Sequence, residues 1–149
     1  MLLTGTFPRA IDEKLRVAIP KRLREGLGCA QGGNLYIAPA TDQSLAIYTE
    51  ESFAQLAERL AKVSPTQQKV RAFTRLFYAR AQRVELDGQG RIRVPGDLAQ
   101  LACLEKEVVL LGVQDHLELW AAARWLEYLE DKQSRFDEIA EAAFDQSLP

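Results

Sequence analysis

The chain has 149 residues, enough for one compact domain or for two small units that share a core. Hydrophobic residues make up 47% of it and charged residues 27%, an ordinary balance for a globular protein, and its longest apolar stretches are too short to cross a bilayer. The amino terminus lacks the basic start and the cleavage site of an export signal, so we expect a cytoplasmic protein with no membrane partner.

The first half is predicted to hold two pairs of strands with short helices after them. A strand leads to Asp12, a tight turn follows, and the strand "RVAI" ends at Pro20, which cannot donate a hydrogen bond to a sheet. A brief helix, "KRLREGL", follows because proline suits a helix start. The strands "LYIAP" and "LAIYT" then precede a closing helix. Its apolar side chains recur on one helical face: Phe53, Leu56, Ala57 and Leu60.

A linking helix, "QQKVRAFTRLFYAR", leads to a second half with the same order of elements. Its first strand reaches Asp87, where "DG" is a strong turn signal because both residues tolerate positive φ. The strand "RIRV" ends at Pro95, and the helix "GDLAQLA" and the strands "EVVLLGV" and "HLELW" follow. In the tail "SRFDEIAEAAFDQ", an apolar stripe that includes Phe136 and Ile139 predicts core or subunit contacts.

The two halves are copies of one unit. At an offset of 75, "IDEKLRVAIPKRL" aligns with "LDGQGRIRVPGDL", and further along, at an offset of 72, "SLAIYTEESF" aligns with "HLELWAAARW". Neither unit has the bulk for a core of its own, so we predict an α+β fold in which both pack as one pseudo-symmetric body. The predicted segments are a first repeat at 1–53, a helical connector at 54–78, a second repeat at 79–125 and a C-terminal helical segment at 126–149.

Charge is unevenly distributed along a chain whose net charge is only −2. Residues 1–26 carry six basic and three acidic side chains, and residues 66–96 carry seven and two, whereas residues 97–149 carry four and twelve. The basic segments surround the two copies of the turn. This distribution allows a basic binding face on an acidic body, although unevenly charged solvated surface would look the same.

The repeated element is an aspartate followed four residues later by an arginine. Across a tight turn, the carboxylate of Asp12 or Asp87 can orient the guanidinium of Arg16 or Arg91 toward a planar acceptor such as a phosphate or a guanine edge. A single DxxxR spacing is common and usually means only a surface ion pair. Two copies inside a duplicated unit favour an anionic partner. Other basic side chains lie near each copy in sequence: Arg9, Lys21, Arg22 and Arg24 by the first, and Arg80, Arg83 and Arg93 by the second.

Little in the sequence suggests catalysis or metal binding. Cys29 and Cys103 lie outside any CxxC or Cys/His cluster, and His116 is the only histidine. "QGG" at 31–33 makes a turn and not a phosphate-binding loop. We therefore predict no cofactor, no metal and no enzymatic activity.

The repeats resemble those of the MraZ family of bacterial regulators. The resemblance covers nearly the whole chain and is carried by "GTFPRAIDEKLRVAIPKRLRE", "VELDGQGRIRVP", "LEKEVVLLGVQDHLELW" and "FDEIAE". It implies two tandem AbrB-like swapped-hairpin β-barrel repeats, a ring-shaped homo-oligomer, and a nucleoid-associated repressor. Such a repressor binds double-stranded DNA at direct repeats in the promoter of its own division and cell-wall operon. The residues that inherit the DNA-facing role are Asp12, Lys14, Arg16, Asp87, Gln89, Arg91 and Arg9.

Three positions depart from the family pattern. Leu15 replaces the glycine that usually precedes the first motif arginine, and because leucine resists positive φ, we expect a reshaped first turn. Arg9 stands where the family has histidine, and Ala99 where it commonly has arginine. Two alternatives remain open: an oligomeric interaction scaffold that has lost operator binding, and a small hydrolase that uses surface carboxylates.

Overall fold

A computed structural model describes residues 1–145 of the chain. In the first repeat, the turn from the last strand into the following helix is fixed by a reciprocal cap. Thr49 Oγ1 accepts from the Ser52 backbone N–H and Ser52 Oγ accepts from the Thr49 backbone N–H, both at 3.0 Å. The elements of this repeat are β1 (Thr6–Ala10), β2 (Arg16–Ala18), α1 (Lys21–Gly26), β3 (Asn34–Pro39), β4 (Leu45–Thr49) and α2 (Glu50–Ala61).

The second half repeats this order after the linking helix α3. Its elements are α3 (Gln68–Arg80), β5 (Gln82–Glu85), β6 (Arg91–Arg93), α4 (Gly96–Leu101), β7 (Glu107–Val113), β8 (His116–Ala121), α5 (Ala122–Gln133) and α6 (Phe136–Asp145). The predicted α+β class and the two-repeat organisation are confirmed. The boundaries drawn between the four segments stay a prediction, and residues 146–149 of the last segment lie outside the described residues.

Strands of the two repeats are interleaved in both sheets. The larger sheet is antiparallel with the order β1-β7-β8-β4-β3-β5, so that β1 of the first repeat pairs with β7 of the second, and β5 of the second pairs with β3 of the first. The remaining strands, β2 and β6, pair with each other as a separate two-stranded ribbon. Each sheet therefore contains strands of both repeats.

One hydrophobic core joins both repeats. Val17 and Ile92, on the inner side of the ribbon, are buried to 0% and 1% exposure, and they belong to the same cluster as Leu35, Ile37 and Leu119 of the larger sheet. Burying an aliphatic side chain of this size stabilises a fold by roughly 1.5–3 kcal/mol. The ribbon is therefore held on the body mainly by its inward-facing aliphatic residues.

The C-terminal helix α6 lies outside this core. None of its residues is buried, and Phe136 and Ile139 are 70% and 42% exposed. The apolar stripe predicted in the tail therefore does not contribute to the core of a single chain. Within residues 1–145, no helix is both long enough and apolar enough to span a membrane.

Leu98 on α4 tests the shared core. It is fully buried, and truncation to alanine leaves a cavity between the repeats. We expect Leu98→Ala to lower the free energy of unfolding by about 2–5 kcal/mol. Leu126→Ala on α5, where the side chain is 55% exposed, is the control and should cost less than about 1 kcal/mol. Urea denaturation at fixed protein concentration measures both, and equal losses would contradict the place of Leu98 in the shared core.

Candidate nucleic-acid interface

The first loop, residues 12–16, is organised around the carboxylate of Asp12. Its Oδ1 accepts from the backbone N–H groups of Lys14 and Arg16 at 2.9 and 2.8 Å, and its Oδ2 accepts from Arg16 Nε at 2.7 Å. The backbone closes the turn, since Asp12 N–H donates to the Arg16 carbonyl at 3.0 Å. The aspartate thus fixes both the turn and the plane of the arginine fork.

The second loop, residues 87–91, repeats this geometry. Asp87 Oδ1 accepts from the Gln89 and Arg91 backbone N–H groups at 2.8 and 3.0 Å, and Oδ2 accepts from Arg91 Nε at 2.8 Å. Asp87 N–H donates to the Arg91 carbonyl at 2.9 Å. Lys14 of the first loop and Gln89 of the second are exposed at corresponding positions of the two turns.

The expected reshaping of the first turn is wrong. Leu15 adopts φ +62°, close to the +76° of Gly90, and its N–H donates to the Asp12 carbonyl at 2.9 Å, as the Gly90 N–H does to the Asp87 carbonyl at 3.0 Å. Two contacts hold the leucine in this conformation. Its carbonyl accepts from the Val94 N–H at 2.8 Å, and its side chain packs against the core. Tertiary contacts therefore override the local preference of leucine.

The ribbon joins the two loops, which lie at its opposite ends. In its register Arg16 is opposite Arg93, and Arg91 is opposite Ala18. Because side chains alternate along a strand, these four residues share the outer face, while Val17 and Ile92 point into the core. Arg16 and Arg91 are thus offset by two residues, about 7 Å along the strands. Three arginines on one short face form a compact basic surface.

Two arginines lie at the opposite loop from the one their sequence positions suggested. Arg93, close to the second motif in sequence, donates from Nε to the Lys14 carbonyl of the first loop at 3.1 Å. Arg24, close to the first motif in sequence, lies against Gly90 of the second loop. Sequence proximity does not reveal these contacts, because they form between the two repeats. The offset of 75 with antiparallel pairing of the copies was the signal that could have revealed this exchange.

Arg9 is not part of the ribbon. It lies on β1, opposite Val108 of β7, and is half-buried. Its Nε is buried and has no hydrogen-bond partner among the described residues. The structure therefore brings Asp12, Lys14 and Arg16 together with Asp87, Gln89 and Arg91 across one ribbon, and it leaves Arg9 on the neighbouring sheet.

Hydrogen bonding lowers the pKa of both loop aspartates. For Asp12 the backbone N–H of Arg16 makes the largest contribution, and for Asp87 the backbone N–H of Arg91 does so; partial desolvation opposes the lowering of the pKa in each case. The ionised form is thus the one that the folded loop prefers. The loops keep their aspartate contacts at neutral pH.

The other titratable cluster surrounds His116 on β8. Its Nδ1 lies 2.8 Å from Asp115 Oδ1 and its Nε2 lies 3.6 Å from Glu118 Oε2, while its ring stacks on Tyr48. Glu118 makes the largest contribution to raising the pKa of His116, and Asp115 raises it further. Burial raises the pKa of Tyr48 to about 12. Among residues 1–145 no group of three or more His, Cys, Asp or Glu side chains could hold a metal ion.

Fold and site together define a class of protein: a duplicated α+β body with two aspartate-oriented arginines on one basic ribbon. The family model of the MraZ protein matches residues 2–76 and again residues 77–147. The chain therefore belongs to the MraZ family, as its motifs indicated.

Curated relatives align over nearly their full length. The transcriptional regulator MraZ of Symbiobacterium thermophilum is 40% identical over 138 residues, covering 92% of this chain and 96% of the relative. Those of Alkaliphilus metalliredigens and Moorella thermoacetica are 37% and 36% identical, covering 93% and 97% of this chain and 94% and 98% of the relatives. These relatives are named for a regulatory role and not for an enzymatic activity.

The lowered pKa of the loop aspartates predicts how the loops respond to acid. A carboxyl group whose pKa is lowered by folding contributes stability that is complete above its unfolded pKa and is lost as pH falls through its folded pKa. We expect the NMR signals of the Arg16 and Arg91 amides, which donate to these carboxylates, to titrate with midpoints below 3.8, the ordinary value for aspartate. Asp12→Asn should abolish the titration of the Arg16 amide and leave that of Arg91. A midpoint at or above 3.8 would contradict the geometry.

Proposed function

We propose that this chain is a DNA-binding transcriptional regulator that reads double-stranded DNA with two DxxxR loops per subunit. The observation that carries the proposal is the ribbon, which presents the half-buried Arg16 and Arg91 on its outer face, each with its Nε held by an aspartate. The relatives' name, transcriptional regulator, supports the regulatory part. A regulator that acts on DNA works at the nucleoid in the cytoplasm.

The free atoms of the two arginines suit a nucleic-acid acceptor. Each aspartate engages only Nε, and within residues 1–145 the terminal nitrogens of Arg16 and Arg91 make no hydrogen bond. Those nitrogens can donate side by side to a phosphate or to O6 and N7 of guanine. Lys14 and Gln89, exposed in the same turns, complete the proposed contact set.

Arg9 enters the proposal as a supporting donor. Its Nε is buried and unpaired among the described residues, but its half-buried side chain lies on β1, a neighbour of the ribbon. A phosphate at the edge of the DNA contact is the acceptor that we assign to its terminal nitrogens. The weight of binding rests on the two loops.

An acidic chain needs many weak contacts to hold DNA. We propose that copies assemble into a ring, so that loops from several subunits bind direct repeats in one promoter and gain avidity. The promoter of the chain's own division and cell-wall operon, with repression as the outcome, is the target implied by the family resemblance. Acidic side chains concentrated in residues 97–149 disfavour DNA contact on that part of the body.

Exposed apolar surface supports the ring. A groove of about 530 Å³ lies between helices and the larger sheet, and on its rim Phe73, Leu76 and Leu101 are 49%, 64% and 41% exposed. A patch of this kind marks an interaction surface on a folded protein. A second copy of the chain is the partner that we propose for it.

A binding assay tests the function directly. We expect a duplex from upstream of the chain's own operon to shift in a gel, with log affinity falling against log salt concentration by about 0.9 per phosphate contacted. Arg16→Ala and Arg91→Ala should each weaken binding about 5- to 150-fold, from roughly 1–3 kcal/mol per bidentate contact. Arg135→Ala, an exposed arginine paired with Asp131 at 3.5 Å, is the control. No shift by the wild type would refute the function.

Light scattering tests the assembly. We expect a mass several times that of one chain, and Leu76→Asp should lower it because a charge enters an apolar interface. Leu126→Asp makes the same change on an exposed position of α5 and should leave the mass unaltered. A monomeric wild type would reject the ring. A protein that assembles but never shifts DNA would instead be the interaction scaffold.

A further inference from the structure

Each DNA-reading loop is held by an arginine of the other repeat. We propose that Arg24 of the first repeat is a positioning residue for the second loop and that Arg93 of the second repeat is one for the first loop. The expected effect on DNA binding rests on the proposed function, which assigns these two loops to DNA. Its structural part concerns only contacts within the chain.

Arg24 forms a clasp with Ile19 and Gly90. Its Nε donates to the Ile19 carbonyl at 2.9 Å, and the Ile19 N–H in turn donates to the Gly90 carbonyl at 2.9 Å. The guanidinium lies so close to Gly90 that a Cβ on that residue would be 2.7 Å from Arg24 Cζ. Gly90 is buried beneath it. A Cβ at residue 90 would therefore displace the guanidinium, and the φ of +76° also favours glycine there.

Arg93 acts on the first loop by a different contact. Its Nε donates to the Lys14 carbonyl at 3.1 Å, and its side chain is exposed on the outer face of the ribbon, opposite Arg16. The hydrogen bond fixes the carbonyl at the tip of the turn, two residues before Arg16. Arg93 thus contacts the backbone of the first loop, and this contact does not require a glycine.

The repeat offset of 75 shows that the two loops are supported by different chemistry. The offset relates Arg24 to Ala99 and Gly90 to Leu15, and the surrounding backbone is equivalent: Arg24 N–H bonds the Pro20 carbonyl at 3.0 Å as Ala99 N–H bonds that of Pro95 at 2.9 Å. Ala99 belongs to the core cluster, and Leu15 packs against it. Two apolar residues therefore stand where the second loop has an arginine over a glycine.

The clasp bears on Arg91 through the backbone. Gly90 immediately precedes Arg91, whose N–H donates to Asp87 Oδ1, so displacement of Gly90 also displaces the arginine that we assign to DNA. Recognition by a planar fork tolerates errors of only about 0.5 Å. Loss of Arg24 should therefore weaken the second loop's contribution without removing a DNA contact.

Crossed NMR measurements on the full chain, without DNA, test the structural part. Arg24→Ala should shift the amide signals of Gln89 and Arg91 and leave those of Lys14 and Arg16 unchanged. Arg93→Ala should shift the signals of Lys14 and Arg16 and leave those of Gln89 and Arg91 unchanged. A general loss of folding would move all four. Each arginine perturbing the loop of its own repeat, or neither loop, would overturn the proposal.

Binding measurements test the functional part. With the operator duplex, Arg24→Ala should reduce affinity roughly tenfold, as expected for loss of a hydrogen bond from a charged group, and should leave the slope of log affinity against log salt unchanged. A slope reduced by about 0.9 would make Arg24 a direct phosphate contact and overturn the positioning role. Unchanged affinity would also overturn it.

A double-mutant cycle identifies the clasp itself. Gly90→Ala should displace Arg24 and weaken binding, but on the Arg24→Ala background it should add only the cost of alanine at positive φ. Leu15→Ala is the matched control, since it places alanine at positive φ with no guanidinium above it, and it should show no coupling to Arg24. Additive effects at Gly90 would contradict the clasp. If the wild type bound no DNA, the proposed function would fail, and the crossed NMR result would still decide whether the clasp exists.

Discussion

The structure depends on the pairing of β2 with β6. Strands of three residues are too short to be stable alone, and this ribbon persists because Val17 and Ile92 anchor its inner face in the shared core. Two further hydrogen bonds, from Ile19 to the Gly90 carbonyl and from Val94 to that of Leu15, extend the pairing to the loops. Each loop is therefore held in part by backbone contacts with the other repeat.

Like charges repel one another on the outer face of the same ribbon. Arg16 and Arg93 are directly opposite each other, and like charges in that position destabilise a strand pair. Local acceptors offset the repulsion: Asp12 takes the Nε of Arg16, and the Lys14 carbonyl takes that of Arg93. Both acceptors engage only Nε, and the terminal guanidinium nitrogens of the two arginines make no hydrogen bond within residues 1–145. A polyanion bound across the ribbon would relieve the remaining repulsion between these arginines. Because the arginines are concentrated on the ribbon, a chain of net charge −2 can present a cationic face.

The sequence allowed the elements to be predicted, but not their partners. Strand alternation, turn signals and the offset of 75 were sufficient for the order of strands and helices and for the DxxxR turns, because those depend on neighbours along the chain. The pairing of β1 with β7 and of β3 with β5 depends on contacts between residues about 50 to 100 positions apart. The contacts of Arg24 and Arg93 with the loop of the other repeat depend on the same pairing. No periodicity or spacing in a single repeat carries that information.

Leu15 shows how far local preference can be overruled. A leucine at positive φ costs about 1–2 kcal/mol, which argues for glycine in this turn. Packing of the half-buried leucine side chain against the core stabilises the fold by a similar amount. The hydrogen bond from the Val94 N–H to the Leu15 carbonyl stabilises it further. The small side chain of Ala99 at the position equivalent to Arg24 is consistent with this exchange. Two loops with the same hydrogen bonds are thus built from glycine under arginine in one case and from leucine in an apolar site in the other. The constraint on this site is therefore the geometry of the arginine fork, which more than one set of supporting residues can satisfy.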